Sequence, residues 1–265
     1  MQVDLTGERA IVTAASKGLG RAVARELADS GARVVISSRS EENLRAAKEH
    51  ILEETGVEGD AVLPLACDLG NPDEVTAMMS EALDALGGLD VLVTNHGGTP
   101  RLSFEETTPE ILDEQYTAVL KSTFLVVNEA IPALREGGGS ISHIVSTSAR
   151  ESPDNHIPSN VLRPGIYGLS KSVANEFGKD GVRSNCIGPR MVMTDRIRRI
   201  FEQDAERKGV SLDEAKAEHV ESLPLRRVGD PEEFAEAVAF LSSDAASYIT
   251  GAVLPVDGGW TRGAF

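Results

Sequence analysis

The chain of 265 residues contains only two cysteines, Cys67 and Cys186. They lie far apart in strand-like apolar segments, and neither belongs to a cysteine and histidine spacing that holds a metal ion. This scarcity argues against a disulfide framework, and we predict no metal site. Two buried thiols are typical of a protein in a reducing compartment, so we expect a cytoplasmic location.

Lysine is also scarce, with seven lysines among the 26 basic residues, against 42 acidic residues and a formal net charge of −16. This charge disfavours nucleic acid and anionic membrane surfaces as partners. An acidic, lysine-poor surface suits a protein kept soluble at high salt, where screening removes the self-repulsion. We therefore interpret the composition as halophilic.

Long apolar runs are absent as well, since no stretch of eighteen or more apolar residues occurs. The first residues are polar and acidic and lead directly into a strand-like segment. The sequence therefore predicts neither a membrane-spanning segment nor a signal peptide. No Pro/Ser-rich linker divides the chain, which predicts a single domain over 1–265.

What is present is a regular alternation of strand and helix patterns, which predicts an α/β fold with a parallel sheet covered on both faces. The first predicted strand begins at Ala10, and the others span 33–38, 61–67, 89–94, 140–146, 181–187 and 252–256. The predicted helices include 41–55, 109–134 with a break at Pro132, 159–179 with a disturbance at Pro164, 194–221 and 231–241. A helical segment at about 190–228 is expected to cover a site.

The first strand runs into a small, glycine-rich turn that opens a helix. Backbone N–H groups at such a helix start attract a pyrophosphate, and small side chains permit its close approach. Strand, loop and helix together predict a dinucleotide-binding unit. The candidate residues of this loop are Thr13, Ala15, Ser16, Lys17, Gly18, Leu19 and Gly20.

Further landmarks follow in order: Asp68 with Leu69, Asn95 with Gly97, Gly188 and Pro189 with Thr194, and the run Val256-Asp257-Gly258-Gly259. With the glycine-rich loop, they make the chain resemble the short-chain dehydrogenase/reductase family over nearly its whole length. The resemblance implies a Rossmann-like, doubly wound sheet of seven strands, assembled as a homodimer or homotetramer through the two long middle helices. It also implies that Asp68 meets the adenine edge, Asn95 lines the adenosine pocket, and Thr194 contacts the nicotinamide carboxamide or the phosphates.

The end of the second strand indicates which dinucleotide is bound. NAD needs an acidic residue there, but the sequence has Ser38 followed by Arg39, with Lys17 as a second cation at the same corner. Guanidinium and ammonium groups form charge-assisted bonds to a 2′-phosphate. We therefore predict NADP(H) as the cofactor.

The catalytic positions depart from the pattern of the family, which uses serine, tyrosine, a lysine four residues later, and an asparagine. Alignment of the fifth strand gives Ser146 as the serine. Counting back from Gly188 and Pro189 gives Ser159 at the tyrosine position, thirteen residues after Ser146, and Arg163 at the lysine position. Val119 stands at the asparagine position. The first glycine of the loop is likewise replaced, by Ala14.

A second register is open, because Tyr167 and Lys171 form a literal Tyr-x-x-x-Lys eight residues further along. If Pro164 began the helix, both would fall in its first two turns and would supply the usual chemistry. Otherwise Tyr167 is an interface or packing residue.

We expect an NADP(H)-dependent oxidoreductase that acts on a small-molecule carbonyl or alcohol with an altered proton relay. The alternative is a catalytically impaired NADP(H)-binding protein, a sensor or an assembly subunit. Candidate acids near the site are His96, His143 and His156, of which His156 is favoured. Arg190 is a candidate for binding an acidic substrate.

Overall fold

The computed structural model describes residues 3–263. Its sheet has seven parallel strands in the order β3-β2-β1-β4-β5-β6-β7. The strands are β1 (Arg9–Val12), β2 (Arg33–Ser38), β3 (Val62–Ala66), β4 (Val91–Thr94), β5 (Gly139–Ile144), β6 (Val182–Pro189) and β7 (Val253–Val256). The chain extends the sheet from β1 to one edge, returns at β4 and extends it to the other. The predicted doubly wound α/β fold is confirmed.

Helices cover both faces of this sheet. They are α1 (Gly18–Asp29), α2 (Glu41–Thr55), α3 (Pro72–Leu86), α4 (Pro109–Gln115), α5 (Ser122–Gly137), α6 (Ser148–Glu151), α7 (Ile157–Phe177), α8 (Asp195–Lys208), α9 (Leu212–Glu221) and α10 (Pro231–Ser242). Helix α3 begins as its sequence predicts: Asn71 accepts a hydrogen bond from the backbone N–H of Asp73, and Pro72 occupies the first turn. Helices α8 and α9 form the predicted helical segment near 190–228.

Alternate side chains of the central strands serve two separate apolar layers. Val12, Val34 and Val93 pack with α1 and α10 on one face, whereas Ile11 and Leu92 pack with α3 and α5 on the other. Full burial of each such side chain stabilises the fold by about 1.5–3 kcal/mol relative to exposure. The chain after β1 builds one half of the sheet, and the chain after β4 builds the other half. A crevice therefore opens at the carboxyl ends of β1 and β4, where ligands bind in folds of this kind.

The long middle helix differs from its prediction. Pro132 lies inside α5 and does not interrupt it, because Ile131 and Leu134 remain buried on either side of the proline. A π-helical segment, Tyr116–Lys121, connects α4 to α5. The combined helix Pro109–Gly137 is long and apolar enough to span a membrane by length and composition alone, but its apolar face packs against α3 in the core.

Helix α7, the second middle helix, does not begin at Pro164, where the Tyr167 and Lys171 register required it to begin. Helix α7 starts at Ile157 with Pro158 in its first turn, and Pro164 is an internal residue. Gly165 permits this path, since a Cβ atom there would lie 2.8 Å from Leu120 of the π-helical segment. The start at Pro164 that the second register needed is therefore wrong.

Candidate active site

The glycine-rich loop leaves little room for side chains. Gly18 has a φ angle of +57°, in the region that glycine favours. A Cβ atom at Gly20 would lie 2.5 Å from the carbonyl oxygen of Ala14, too close for any other residue. Leu19 packs into the core behind the loop, while Ser16 is half-buried and Lys17 exposed before α1. The loop therefore presents the start of α1 to the crevice, where an anion is favoured.

Hydrogen bonds hold this loop against the end of β4. The hydroxyl of Thr13 donates to the carbonyl oxygen of Asn95 at 2.6 Å and accepts from its backbone N–H at 2.7 Å. The side-chain amide of Asn95 donates to the carbonyl oxygen of Ala14 at 3.1 Å. The backbone N–H of Ala15 donates to Ser37 on β2. Three strands thus fix the loop.

The end of β2 carries a polar atom that lacks a partner. The hydroxyl oxygen of Ser38 is buried, and no group in the described part of the chain hydrogen-bonds to it. Arg39, the next residue, is exposed to solvent, as is Lys17. A hydroxyl and two cations at this corner suit a phosphorylated ribose, and no carboxylate replaces Ser38.

The remaining predicted cofactor residues lie along the same edge. The Asp68 carboxylate accepts from the backbone N–H of Gly70 at 2.9 Å, and Leu69 packs on the core. Gly97 is exposed beside the crevice, and Pro189 ends β6. Thr194 caps α8, and its methyl group would be 3.5 Å from a Cβ atom on Gly18.

Three serines form a connected group at the end of β5. The backbone N–H of Ser148 donates to the Ser146 hydroxyl at 3.1 Å. The hydroxyls of Ser148 and Ser159 are 2.8 Å apart and share a hydrogen bond. The aligned positions Ser146 and Ser159 are therefore linked through Ser148, a residue that the sequence pattern did not single out. Its only signal was its position two residues after Ser146.

Arg163 follows Ser159 by four residues in α7 and is 8% exposed. Its guanidinium donates to the carbonyl oxygen of Val145, and its Nε–H has no acceptor among residues 3–263. Burial, with the nearby charge of Arg196, lowers the pKa of Arg163 to about 10. The group therefore stays cationic at neutral pH, and no carboxylate among residues 3–263 forms an ion pair with it.

Neither Tyr167 nor Lys171 hydrogen-bonds to the hydroxyls of the three serines in the described part of the chain. The Tyr167 hydroxyl donates to the carbonyl oxygen of Ser146 at 3.1 Å, and its ring packs beside Leu162 and Val119. Burial raises the pKa of Tyr167 to about 12. Lys171 extends instead towards Gly251, where a Cβ atom would lie 2.7 Å from its Nζ. Tyr167 thus contacts the main chain of Ser146, whereas Lys171 lies near Gly251.

The three candidate histidines occupy different environments. His143 is wholly buried within the sheet, where its ring nitrogens meet the hydroxyls of Thr94 and Ser184. His96 is 7% exposed, and burial, with Arg163 nearby, lowers its pKa to about 3. His156 precedes α7, and its Nε2 accepts from the Nε–H of Arg101 at 3.1 Å. The structure therefore leaves His143 away from the crevice.

Comparisons with known proteins agree with this architecture. The family model described as enoyl-(acyl carrier protein) reductase matches residues 13–261. The dehydrogenase/reductase SDR family member 4 of Oryctolagus cuniculus is 33% identical over 257 residues, which cover 96% of this chain and 94% of the relative. The versicolorin reductase of Emericella nidulans is 32% identical and covers 97% of both chains.

Solved structures give the same result. The L-sorbose reductase of Gluconobacter frateurii, complexed with NADPH and L-sorbose, superposes with a TM-score of 0.93 at 28% identity, covering 99% of this chain and all of that one. A short chain oxidoreductase from Pseudomonas aeruginosa PAO1, NADPH-bound and containing an atypical catalytic center, gives a TM-score of 0.89 at 30% identity, covering 99% and 100%. The chain belongs to the short-chain dehydrogenase/reductase family. It is an oxidoreductase of that type.

Proposed function

We propose that the chain is an NADP(H)-dependent oxidoreductase that interconverts a carbonyl and an alcohol through a relay of serines and an arginine. The observation that carries this proposal is the hydrogen-bonded group Ser146, Ser148 and Ser159, with Arg163 bound to the main chain of Val145, the residue before Ser146. The same edge of the sheet thus holds a cofactor loop and a set of hydroxyl donors.

The residues of the crevice fit NADP(H). The unpartnered hydroxyl of Ser38, together with Lys17 and Arg39, offers one hydrogen bond and two positive charges to a 2′-phosphate. The start of α1 at Gly18 suits the diphosphate. The NADPH complexes among the structural relatives support this choice. When bound, the cofactor supplies or accepts the hydride.

The chain's own residues then manage the oxygen and its proton. Ser146 donates a hydrogen bond to the substrate carbonyl, which orients it. The Ser159 and Ser148 hydroxyls pass a proton from water to the oxygen as it becomes an alkoxide. A serine hydroxyl is a much weaker acid than the phenol of tyrosine, so these serines relay a proton from water and do not supply one of their own. Arg163 keeps its charge and stabilises the alkoxide electrostatically.

The test is NADPH oxidation over a panel of carbonyl compounds with the wild type and three variants. Ser146→Ala and Ser159→Ala are expected to lower kcat by about 10²-fold, the usual contribution of one acid–base or oxyanion group. Tyr167→Phe is expected to keep kcat within a few-fold. Loss confined to Tyr167→Phe would contradict the serine relay.

The alternative, an NADP(H)-binding sensor or assembly subunit, is favoured by the replacement of tyrosine, lysine and asparagine by Ser159, Arg163 and Val119. It predicts NADPH binding to the wild type without turnover of any carbonyl or polyol. Turnover that Ser146→Ala abolishes would exclude it, and the same panel therefore separates the two functions.

Self-association through the two long middle helices remains part of the proposal. Tyr116, Phe124 and Val161 expose 46%, 53% and 54% of their surface on these helices, and apolar surface of this kind suits a subunit contact. Sedimentation of the wild type and of Phe124→Glu tests it: the wild type is expected to sediment as a dimer or tetramer and the variant as a smaller species. A cytoplasmic location and a halophilic source likewise stay predictions.

A further inference from the structure

Three arginines from separate segments converge around His156, and the charge of Arg196 also acts on Arg163. Arg101 follows β4, Arg190 follows β6, and Arg196 lies in the first turn of α8. Arg101 donates to His156, as described above. Arg196 crosses to the β4 side and donates to the carbonyl oxygen of Thr99 at 2.8 Å.

The position of Arg196 also explains why residue 98 is a glycine. Its guanidinium lies directly against Gly98, where a Cβ atom would collide with it. Arg190 is fixed differently: its guanidinium carbon stacks 3.8 Å above the ring of Trp260. This stacking holds the guanidinium plane while leaving its N–H edge available.

These arginines lack neutralising partners. Within residues 3–263, none of Arg101, Arg190 and Arg196 has a carboxylate oxygen within 4.0 Å, whereas Arg9 and Arg227 do. The Nε–H of Arg190 is buried and finds no acceptor in the same part of the chain. A buried donor without a partner is costly and marks a position that a ligand can satisfy.

Asp257 is the acidic residue whose charge acts on Arg190, but its carboxylate already accepts other hydrogen bonds. Asp257 is 5% exposed, and its two carboxylate oxygens accept from the backbone of Gly259, and from the backbone and hydroxyl of Thr261 at 2.9 and 2.6 Å. It attracts Arg190 from a distance but offers it no direct hydrogen bond. The group therefore keeps an excess of positive charge.

Besides burial, the repulsion lowers the pKa of Arg190 and of Arg196. Partial burial lowers the pKa of both Arg190 and Arg196, and the charge of Arg101 lowers each pKa further. At His156, burial is the largest cause of a lowered pKa, and all three arginines add to it. An anion among them would relieve this repulsion. In a chain of net charge −16, such a positive group is a local feature of the crevice.

We propose that Arg101, Arg190 and Arg196 form a subsite for an anionic group, a carboxylate or a phosphate, carried by the carbonyl or alcohol substrate. The planar guanidinium of Arg190 suits two-point binding of either group. The proposal rests on the proposed function for the reaction itself, and it names the class of substrate that the crevice takes.

The cofactor is a second source of phosphate, because Arg196 follows Thr194, a predicted cofactor residue. The two sources are separable. A substrate subsite requires that Arg101→Gln and Arg190→Gln leave the Kd for NADPH unchanged while weakening the anionic ligand. Weakening of NADPH by a similar factor would overturn the assignment to the substrate.

The chain supplies its own reporter, since Trp260 is its single tryptophan and stacks on Arg190. Titration of the cofactor-free protein with inorganic phosphate is expected to change its fluorescence. Arg101→Gln is expected to weaken the phosphate midpoint about tenfold, as the loss of one charge-assisted bond predicts. Arg33→Gln, an exposed residue at the opposite ends of the strands, serves as the control. Equal midpoints in the two variants would overturn the subsite.

Kinetics give the second measurement. Acetoacetate is compared with methyl acetoacetate, and dihydroxyacetone phosphate with dihydroxyacetone, by NADPH oxidation. The anionic member of at least one pair is expected to have the higher kcat/KM. Arg101→Gln and Arg190→Gln are each expected to reduce the kcat/KM for this anionic substrate about tenfold. Turnover without charge preference would overturn the subsite and keep the oxidoreductase. Arginine-dependent phosphate binding without turnover would support the anion site and contradict the oxidoreductase.

Discussion

The Tyr167 hydroxyl donates a hydrogen bond to the main-chain carbonyl of Ser146, 3.1 Å away. The tyrosine of the literal Tyr-x-x-x-Lys thus supports the backbone of the segment that carries the serines. The Tyr167 ring lies in the apolar cluster with Leu162 and Val119. In this position the phenol supports the main chain of the segment that carries Ser146.

Tyr167→Phe is therefore expected to destabilise the protein by about 1 kcal/mol, the usual contribution of one hydrogen bond, and to keep turnover within a few-fold. Urea unfolding and NADPH oxidation measure the two effects. Tyr248→Phe, at a fully exposed tyrosine, is the control and should change neither. Unchanged stability with lost turnover would show that Tyr167 is the acid.

Ala14 has a φ angle of +47° in the loop, a conformation that costs a non-glycine residue about 1–2 kcal/mol. Ala14→Gly is expected to raise the free energy of unfolding by up to about 1 kcal/mol, since part of the gain is lost to the greater freedom of glycine in the unfolded chain. Ala46→Gly, on the exposed face of α2, should instead cost about 1 kcal/mol. Chemical denaturation gives the free energy of unfolding of both variants. Destabilisation by Ala14→Gly would show that the backbone of Ala14 is not strained.

The local features were predictable because short-range chemistry decides them. The capped start at Asn71 and the strand–loop–helix at Gly18 follow from sequence patterns, and the structure places both where expected. The helix through Pro132 was not predictable from the chain alone. An internal proline costs about 3 kcal/mol, and only the buried packing of its neighbours against α3 offsets it.

The connections within the site were harder to foresee. The bond between Ser148 and Ser159 depends on the path of the chain between β5 and α7, which no periodicity encodes. Arg101 and Arg196 are distant in sequence and meet only because the segments after β4 and β6 turn towards each other. Sequence patterns named Arg190 but had no means to find its neighbours.

Lys17 and Arg39 are expected to set the choice of dinucleotide. Lys17→Gln and Arg39→Gln should each weaken NADPH binding about tenfold and leave NADH binding unchanged, because only NADPH carries the 2′-phosphate. Fluorescence titration with both cofactors measures this. Arg45→Gln, an exposed arginine on α2, is the matched control. Equal losses for both cofactors would mean that the two cations do not contact the 2′-phosphate.

The charge of −16 predicts that salt stabilises the folded chain. The screening length falls from about 10 Å at 0.1 M to about 3 Å at 1 M, which suppresses repulsion between surface carboxylates. The unfolding midpoint is therefore expected to rise with NaCl near neutral pH. The rise should shrink near pH 4.8, the isoelectric point from the sequence. An equal response at both pH values would exclude repulsion as the cause.

His143 is expected to make the protein sensitive to mild acid. Burial lowers its pKa from 6.5 to about 4, so the unfolded chain binds a proton on this histidine before the folded chain does. Its contribution to stability is then complete above pH 6.5 and is lost as the pH falls towards 4, by up to about 3 kcal/mol.

Unfolding of the wild type and of His143→Gln across this range isolates the effect. Glutamine keeps polar atoms near Thr94 and Ser184 but has no proton to gain, so the variant should lose less stability between pH 6.5 and 4. His96 has a pKa lowered in the same direction and is present in both proteins, and therefore cancels in the difference. Parallel curves for the two proteins would mean that His143 is protonated without cost, which its complete burial against two hydroxyls opposes.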